Sequence, residues 1–452
     1  MYRPGSIYVP VIRQQSKNGR YRHRAKIRWI CLNETSRGWP CILILMFAGS
    51  YGGGNESAPL TKRARSEARL ISSGAELESR RKVEMSRLRR TRRWTEGKAW
   101  MSELISVYRS EAESWQQINP SSIYARKPPN IFNFQCHDEQ LRRFIVREVA
   151  TENAEVGAQD IYMFRNAYVR PDATVYNSAG HLIELSAIDR APEKNFECRG
   201  EDCHRVGGQS VLIFKAGFDN YGHLLIEMLP KIDLILEENF DNPTFLLPVM
   251  SPALHSVVLE VLKVYYREPY RIIVLDMNVI AEELYIPGPV SKHNTRKSKQ
   301  VADFWAKLPN VEWVGGRSYP EKIYISRRGS SKRPIPDEGK VEQLLVEKGF
   351  SIIRPEEHAF FDQVAIFRRA RQIVGPLGAG LSSSIFAGET STITVLDPGL
   401  YDFFFYDLCS LRGQEFNWIF TQPLDYKTVA SLHRPTQEIF VDVKRPLEWV
   451  LG

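Results

Sequence analysis

The sequence predicts an α/β protein built from two doubly wound units in tandem, with a cleft between them. Three observations lead there. From about residue 131, short apolar runs of strand length alternate with amphipathic helical patterns. The alternation stops in a polar, basic stretch, SKHNTRKSK at residues 291–299, and then starts again. Finally, a buried-strand pattern at residues 372–375 runs directly into glycines and a new helix, the kind of junction at which open α/β sheets hold ligands.

In the first unit, residues 161–169 and 180–186 read as strands beside Pro and Gly turns. SVLIFK at 210–215 reads as a buried strand, and 221–239 carries a helical pattern. A strand at 245–248, an amphipathic helix at 252–266 and strands at 271–275 and 283–286 follow. In the second unit the strand at 322–326 is followed by a helix at 337–348, stopped by Gly349. Then come a strand at 350–353, a helix at 359–371, a strand at 372–375, a helix at 378–387 and a strand at 393–396. Residues 291–299 read as a linker or mobile loop. The expected division is a basic, disordered extension over 1–100, a first unit over 101–300 and a second over 301–452.

Residues 1–95 hold 21 of the 61 Lys and Arg but only 6 of the 53 Asp and Glu, which leaves +15 there and −7 in the rest. The basic character thus belongs to the extension. Met101 opens MSELISVYRSEAESW, which reads as a natural start. An arm binding nucleic acid or anionic lipid is the alternative. The arginines of its densest run, 80–93, are not interleaved with aromatic residues beyond Trp94, so nucleic acid is not expected as a partner. The longest apolar run, CILILMFA at 41–48, is far short of the roughly 20 residues a bilayer-spanning helix needs. It resembles a signal-peptide core but comes late for one. Six cysteines in 452 residues do not demand a disulfide framework. Cys198, Cys203 and His204 are half of a possible metal site with no second half, and two thiols in a reducing cytoplasm is the reading adopted.

Three local signals carry chemistry. IVGPLGAGLSS at residues 373–383 places glycines between a strand and a helix, where backbone N–H groups and the helix dipole favour a diphosphate. A tight turn that needs glycine only for packing fits equally well. YISRRG at 324–329 ends a strand with two arginines, suited to bidentate phosphate contacts or simply to a solvated basic turn. NYGHLLIEMLP at 220–230 sets His223 and Glu227 four residues apart on one helix face. Such a pair can deprotonate a hydroxyl, or be only a surface pair on a capped helix.

The order and spacing of NYGHLLIEMLP (220–230), YISRRGSSKRPIPDE (324–338) and GFSIIRPEEHAFFDQVAIFRRARQIVGPLGAGLSSSIFA (349–387) resemble glycosyltransferase family 61 over about 200 residues. The bacterial capsular and exopolysaccharide branch is the expected one. The resemblance implies a GT-B-like fold, two Rossmann-like domains facing a cleft, and an inverting, metal-independent transfer. It implies a nucleoside diphosphate sugar as donor, expected to be UDP-linked, with no cofactor. Arg327, Arg328 and Arg333 are then expected to hold the diphosphate, with backbone N–H groups of Gly378, Ala379, Gly380 and Leu381. Asp397 falls where the family often has an acid near the donor ribose. Glu227 is expected as general base with His223 as its partner, the roles being exchangeable, and Asn220 and Tyr221 lie on the acceptor side. Leu377 stands where many relatives have His, Ser383 near a common Asn, Leu224 at a common Trp or Asp, and Asp337 at a common Asn that would make its loop more acidic. A non-catalytic nucleotide-sugar or glycan-binding homologue is the alternative that Leu377 favours. The acceptor is expected to be a glycan, a lipid-linked one included, and the location cytoplasmic, peripheral at the inner face of a membrane.

Overall fold

Strand order explains the apolar runs. In the computed structural model the described residues are 97–134, 139–188, 192–197, 203–238, 240–292, 295–309, 319–330, 335–397, 402–421 and 439–452. The expected extension lies outside them except for residues 97–100, and so does Arg333. The described residues all belong to one compact unit that runs to the C-terminus.

The strands are β1 (Ser114–Asn119), β2 (Ser122–Ala125), β3 (Asn130–Phe132), β4 (Asn153–Val156), β5 (Gln159–Val169), β6 (Val175–Tyr176), β7 (Cys203–Val211), β8 (Thr244–Pro248), β9 (Arg271–Leu275) and β10 (Asn278–Pro287). They are followed by β11 (Lys322–Ile325), β12 (Ser351–Ile353), β13 (Gln372–Pro376), β14 (Thr392–Asp397) and β15 (Glu415–Phe420). The longer helices are α1 (Gly97–Glu111), α2 (Glu139–Val149), α3 (Pro252–Tyr265), α4 (Lys299–Ala306), α5 (Glu338–Glu347), α6 (Phe360–Arg369), α7 (Phe404–Arg412) and α8 (Phe440–Leu451).

The second sheet runs β12-β11-β13-β14-β15-β3, with every neighbouring pair parallel. Parallel strands are covered on both faces, so they read as nearly continuous apolar runs. Here Tyr324, Val374, Leu396 and Ile419 join one core beneath α5 and α8, with Val341, Leu345, Val443 and Leu447. Their neighbours Ile323, Ile325, Ile373, Val395 and Trp418 face the larger core. Helix ends follow local chemistry: Ser251 caps α3 and Ser298 caps α4, while Gly349 and Gly413 sit at positive φ after α5 and α7.

The first sheet runs β1-β5-β10-β7-β8-β9, and β6 pairs with β5. It is mixed: β5 is antiparallel to β1 and β10, whereas β10, β7, β8 and β9 are parallel. The antiparallel half departs from the mostly parallel expectation. β3 comes from early in the chain yet closes the second sheet beside β15, where Asn130 Nδ2 donates to Asn417 Oδ1 at 2.9 Å. The two sheets therefore do not divide the chain at one point.

Several local readings are corrected. Residues 184–187 form a 3-10 turn rather than a strand, with Ser186 Oγ donating to Ile183 O. The run 210–215 leaves the sheet after Val211, although Leu212 N still bonds to Tyr285 O. The loop at 291–299 is not a solvated linker: Thr295 and Ser298 are buried, and Lys297 is 0 % exposed. Cys203 is disulfide-bonded, not a thiol, which also removes it as a metal ligand.

Candidate functional site

Asn220 starts the site. Its side-chain oxygen accepts from the backbone N–H of Gly222 at 2.9 Å and of His223 at 3.4 Å, an N-cap that fixes the direction of the following helix. The helix expected over 221–239 is then re-registered three times. One α turn (Tyr221–His223) passes into a π-helical turn (Leu224–Met228), a 3-10 turn (Leu229–Lys231) and a last α turn (Ile232–Ile235). Pro230 cannot donate a helical hydrogen bond, and a wide turn just before it accommodates that loss. Trp305 in α4 donates its indole N–H to Leu225 O at 3.0 Å, holding the π turn against the core.

The π turn carries the pair read from the sequence. His223 Nδ1 lies 3.2 Å from Glu227 Oε1, and the other carboxylate oxygen lies 2.7 Å from Lys215 Nζ. The Glu227 side chain is 1 % exposed and that of Lys215 5 %, while that of His223 is 22 % exposed. Of the pair, only the imidazole has appreciable access to solvent. Lys231, on the following turn, is buried at 3 %. Burial pushes the Lys231 ammonium down to about 7, Lys215 pushes the same way, and Glu227 opposes both. Lys297 also feels Glu227; its ammonium sits 4.2 Å from the Phe404 ring centroid and bonds to Thr295 O. Burial lowers the pKa of Lys297, with Asp407 the strongest opposing charge.

Asp407 anchors this neighbourhood. It accepts from Arg126 Nε and Nη2, both at 2.8 Å, from Tyr124 OH at 2.9 Å and from Thr295 Oγ1 at 3.0 Å. The Arg126 and Asp407 side chains are both 0 % exposed. One buried clasp thus ties β2, α7 and the loop bearing Lys297.

The glycine turn meets the His223 helix directly. A Cβ on Gly222 would stand 2.7 Å from Ser382 Oγ and 3.6 Å from the Ala379 Cα, so glycine is needed for this approach. Tyr221 OH lies 3.0 Å from Ser383 Oγ. The segment at 378–387 is a 3-10 helix over Ala379–Phe386, tighter than the helix expected. Gly378 is in extended backbone, which does not itself demand glycine. A Cβ on Gly380 would meet Pro355 Cγ at 3.2 Å, and one on Gly375 would meet Ile325 Cβ at 3.1 Å. At those two positions packing against the end of β11 accounts for the glycine. Leu381 is fully buried.

The arginines divide. Arg327 is half-buried; its backbone N–H donates to Glu338 Oε1 at 2.7 Å, and burial lowers the guanidinium's pKa against the pull of Glu338 and Glu356. Arg328 is exposed and turns back on Glu342 at 3.1 Å, away from the role of a free phosphate clamp. Asp337 does not acidify a ligand loop: it caps α8, accepting from Ile439 N at 2.9 Å and Phe440 N at 2.7 Å. Asp397 is 0 % exposed and accepts from the Trp418 indole at 3.0 Å, which places it in the core rather than at an open ribose site. Leu377 is buried as well.

The sequence reading missed Lys215, Lys231 and Lys297. The signal was present for two of them: Lys215 closes the apolar run SVLIF, and Lys231 interrupts the apolar sequence MLPKIDLI. The family model described as Glycosyltransferase 61 matches residues 221–394, which take in the His223 helix, the arginine pair and the glycine turn. No curated protein matches the chain. The family match supports a glycosyltransferase that takes a sugar donor and a glycan acceptor. No helix among the described residues is long and apolar enough to cross a membrane.

Proposed function

We propose that the chain transfers a sugar, with inversion, from a nucleoside diphosphate sugar to a glycan hydroxyl, using His223 as general base. The observation that carries this is the close approach of the His223 helix to the glycine turn, through Gly222 to Ser382 and Tyr221 to Ser383. It brings a base beside a turn suited to phosphate. Glu227 and His223 exchange the roles first expected. Glu227 is buried and ion-paired, so it is poorly placed to meet a substrate, while a Nδ1–H held toward its carboxylate leaves Nε2 of His223 as the proton acceptor. The acceptor oxygen attacks the anomeric carbon and its proton passes to His223 Nε2. The bond from that carbon to the diphosphate oxygen breaks, and the diphosphate leaves with the electron pair.

In this reading, backbone N–H groups at Ala379 and Gly380 receive the leaving diphosphate with Arg327, while the Leu381 N–H is already spent on Gly378 O at 3.1 Å. Arg328 and Asp397 are left to structure, and Asn220 and Tyr221 act by shaping the His223 helix. A GT-B arrangement with a cleft between the two sheets agrees with the two sheet systems and the junction just described. The disulfide at Cys203 favours an oxidising compartment over the cytoplasm read from the sequence. The buried Leu377 favours a second reading, a non-catalytic homologue, because it offers phosphate no donor.

Thermal shift of the full chain with UDP, GDP, CDP, ADP and TDP, with and without a divalent cation, names the nucleotide; a hundredfold excess over Kd adds about 2.7 kcal/mol to native stability. His223→Ala is expected to keep that shift and lose roughly 10²–10⁴ in turnover. Full turnover in the variant removes His223 from the chemistry. No shift and no product with any donor moves the case to the non-catalytic reading.

A further inference from the structure

Gln363 lies on the first turns of α6, buried, and its side chain reaches both sides of the glycine turn. Its amide nitrogen donates to Pro355 O at 2.8 Å and to His358 O at 3.1 Å. Pro355 is the wall against which Gly380 packs, since a Cβ there would stand 3.2 Å from Pro355 Cγ. The amide oxygen accepts from Ser383 Oγ at 3.4 Å, and Ser383 is fully buried in the 3-10 helix that follows the turn. Ser383 Oγ in turn meets Tyr221 OH at 3.0 Å, on the first turn of the His223 helix. A single side chain thus joins the floor of the turn, the 3-10 helix and, through one hydroxyl, the opposite element.

The direction of this chain follows from its donors. Both N–H groups of the Gln363 amide are spent on carbonyls, and turning the amide over would set its oxygen against those two carbonyl oxygens. The oxygen therefore faces Ser383 and can only accept. Ser383 has one proton and gives it to Gln363, so Tyr221 is the group that donates to Ser383. Each member has the partner its neighbour leaves it, and the order is fixed at the Gln363 end. We infer that Gln363 is a positioning residue that, through Ser383 and Tyr221, holds the glycine turn at a set distance from the helix bearing His223. This rests on the transferase reading above. In that reading the turn receives the diphosphate and His223 the acceptor proton, so their separation decides whether donor and acceptor meet in line. Nothing in the chain touches substrate; it sets where the two groups that do are found.

The test uses two variants of the full chain, Tyr221→Phe and Gln363→Met, each of which keeps the bulk of the side chain and removes its hydrogen bonds. Hydrogen exchange without ligand, read by mass spectrometry on the peptide covering 379–386, is expected to quicken roughly five- to tenfold in both, the worth of about one hydrogen bond. Unchanged exchange in Tyr221→Phe overturns the inference; if that variant does not fold, unchanged exchange in Gln363→Met does so. The second readout is turnover with whichever donor gives product in the wild type. There kcat per folded molecule is expected to fall ~10- to 100-fold while the donor KM stays within about threefold, as for a misplacement remote from the chemistry. Full kcat, or a loss confined to KM, marks the chain as packing alone and overturns the positioning role. The exchange result stands without any product. The transferase reading is judged separately, by product formation and His223→Ala.

Discussion

Lys231→Met removes a charge that folding desolvates, and its effect on stability is worked from one quantity. The ammonium falls from 10.5 to about 7, chiefly through burial and secondarily through Lys215. At ~1.4 kcal/mol per pH unit, this sets a ceiling of roughly 5 kcal/mol on what the charged form costs the native state. The sign follows from proton counts. Between pH 7 and 10.5 the unfolded chain holds a proton at this position that the native chain does not, so wild-type stability rises with pH across that window. Below about pH 7 both states hold it and the penalty is complete. Methionine has no such dependence. The variant is therefore expected to be more stable than the wild type at pH 6, by up to the ceiling. That advantage should shrink by about 1.4 kcal/mol for each pH unit from 7 to 9. Urea unfolding of both proteins at pH 6, 7, 8 and 9, with equal m-values, measures the difference directly. A difference that stays flat from pH 7 to 9, or a less stable variant at pH 6, refutes the reasoning.

Two further outcomes test the frame around the site. Arg126→Met leaves the Asp407 carboxylate, at 0 % exposure, without its bidentate partner. A loss of about 3–5 kcal/mol is expected, largely recovered when Asp407 is also made apolar; a loss below about 1 kcal/mol by urea unfolding rejects the clasp. Reduction of the disulfide at Cys203 is expected to remove about 2–4 kcal/mol. If all six cysteines react as free thiols in the urea-unfolded, unreduced protein, the bond and the oxidising compartment argued from it both fail.

The second sheet was legible in the sequence because parallel, doubly covered strands write themselves as apolar runs between helices. β11, β13 and β14 and the helices between them lie within a residue or two of their expected places. The antiparallel half of the first sheet was less visible. β1 reads SWQQIN, with four exposed residues and no apolar run, and β3 is three residues whose partner lies far along the chain. The His223–Glu227 pair was legible because i,i+4 spacing nearly survives in a wider turn. Glu227's burial was not, since its ion-pair partner Lys215 comes from another element of the chain. The basic stretch at 291–299 misled for a related reason. Charge usually marks solvent, but Lys297 and Thr295 are drawn inward by Asp407, a partner more than a hundred positions away. The glycines at 375 and 380 suited both a phosphate cradle and close packing, and their neighbours show packing there.

The position of β3 at the edge of the second sheet also sets a clock on synthesis. Asn130 and Asn417 are 287 positions apart, so a ribosome adding ~5–20 residues per second takes roughly 15–60 s to supply β15 after β3 has been made. Throughout that interval Ile131 and Phe132 have left the ribosome without the strand that will pair with them. An unpaired apolar segment is a site for wrong association, so the nascent chain depends on being held in solution until its last tenth emerges.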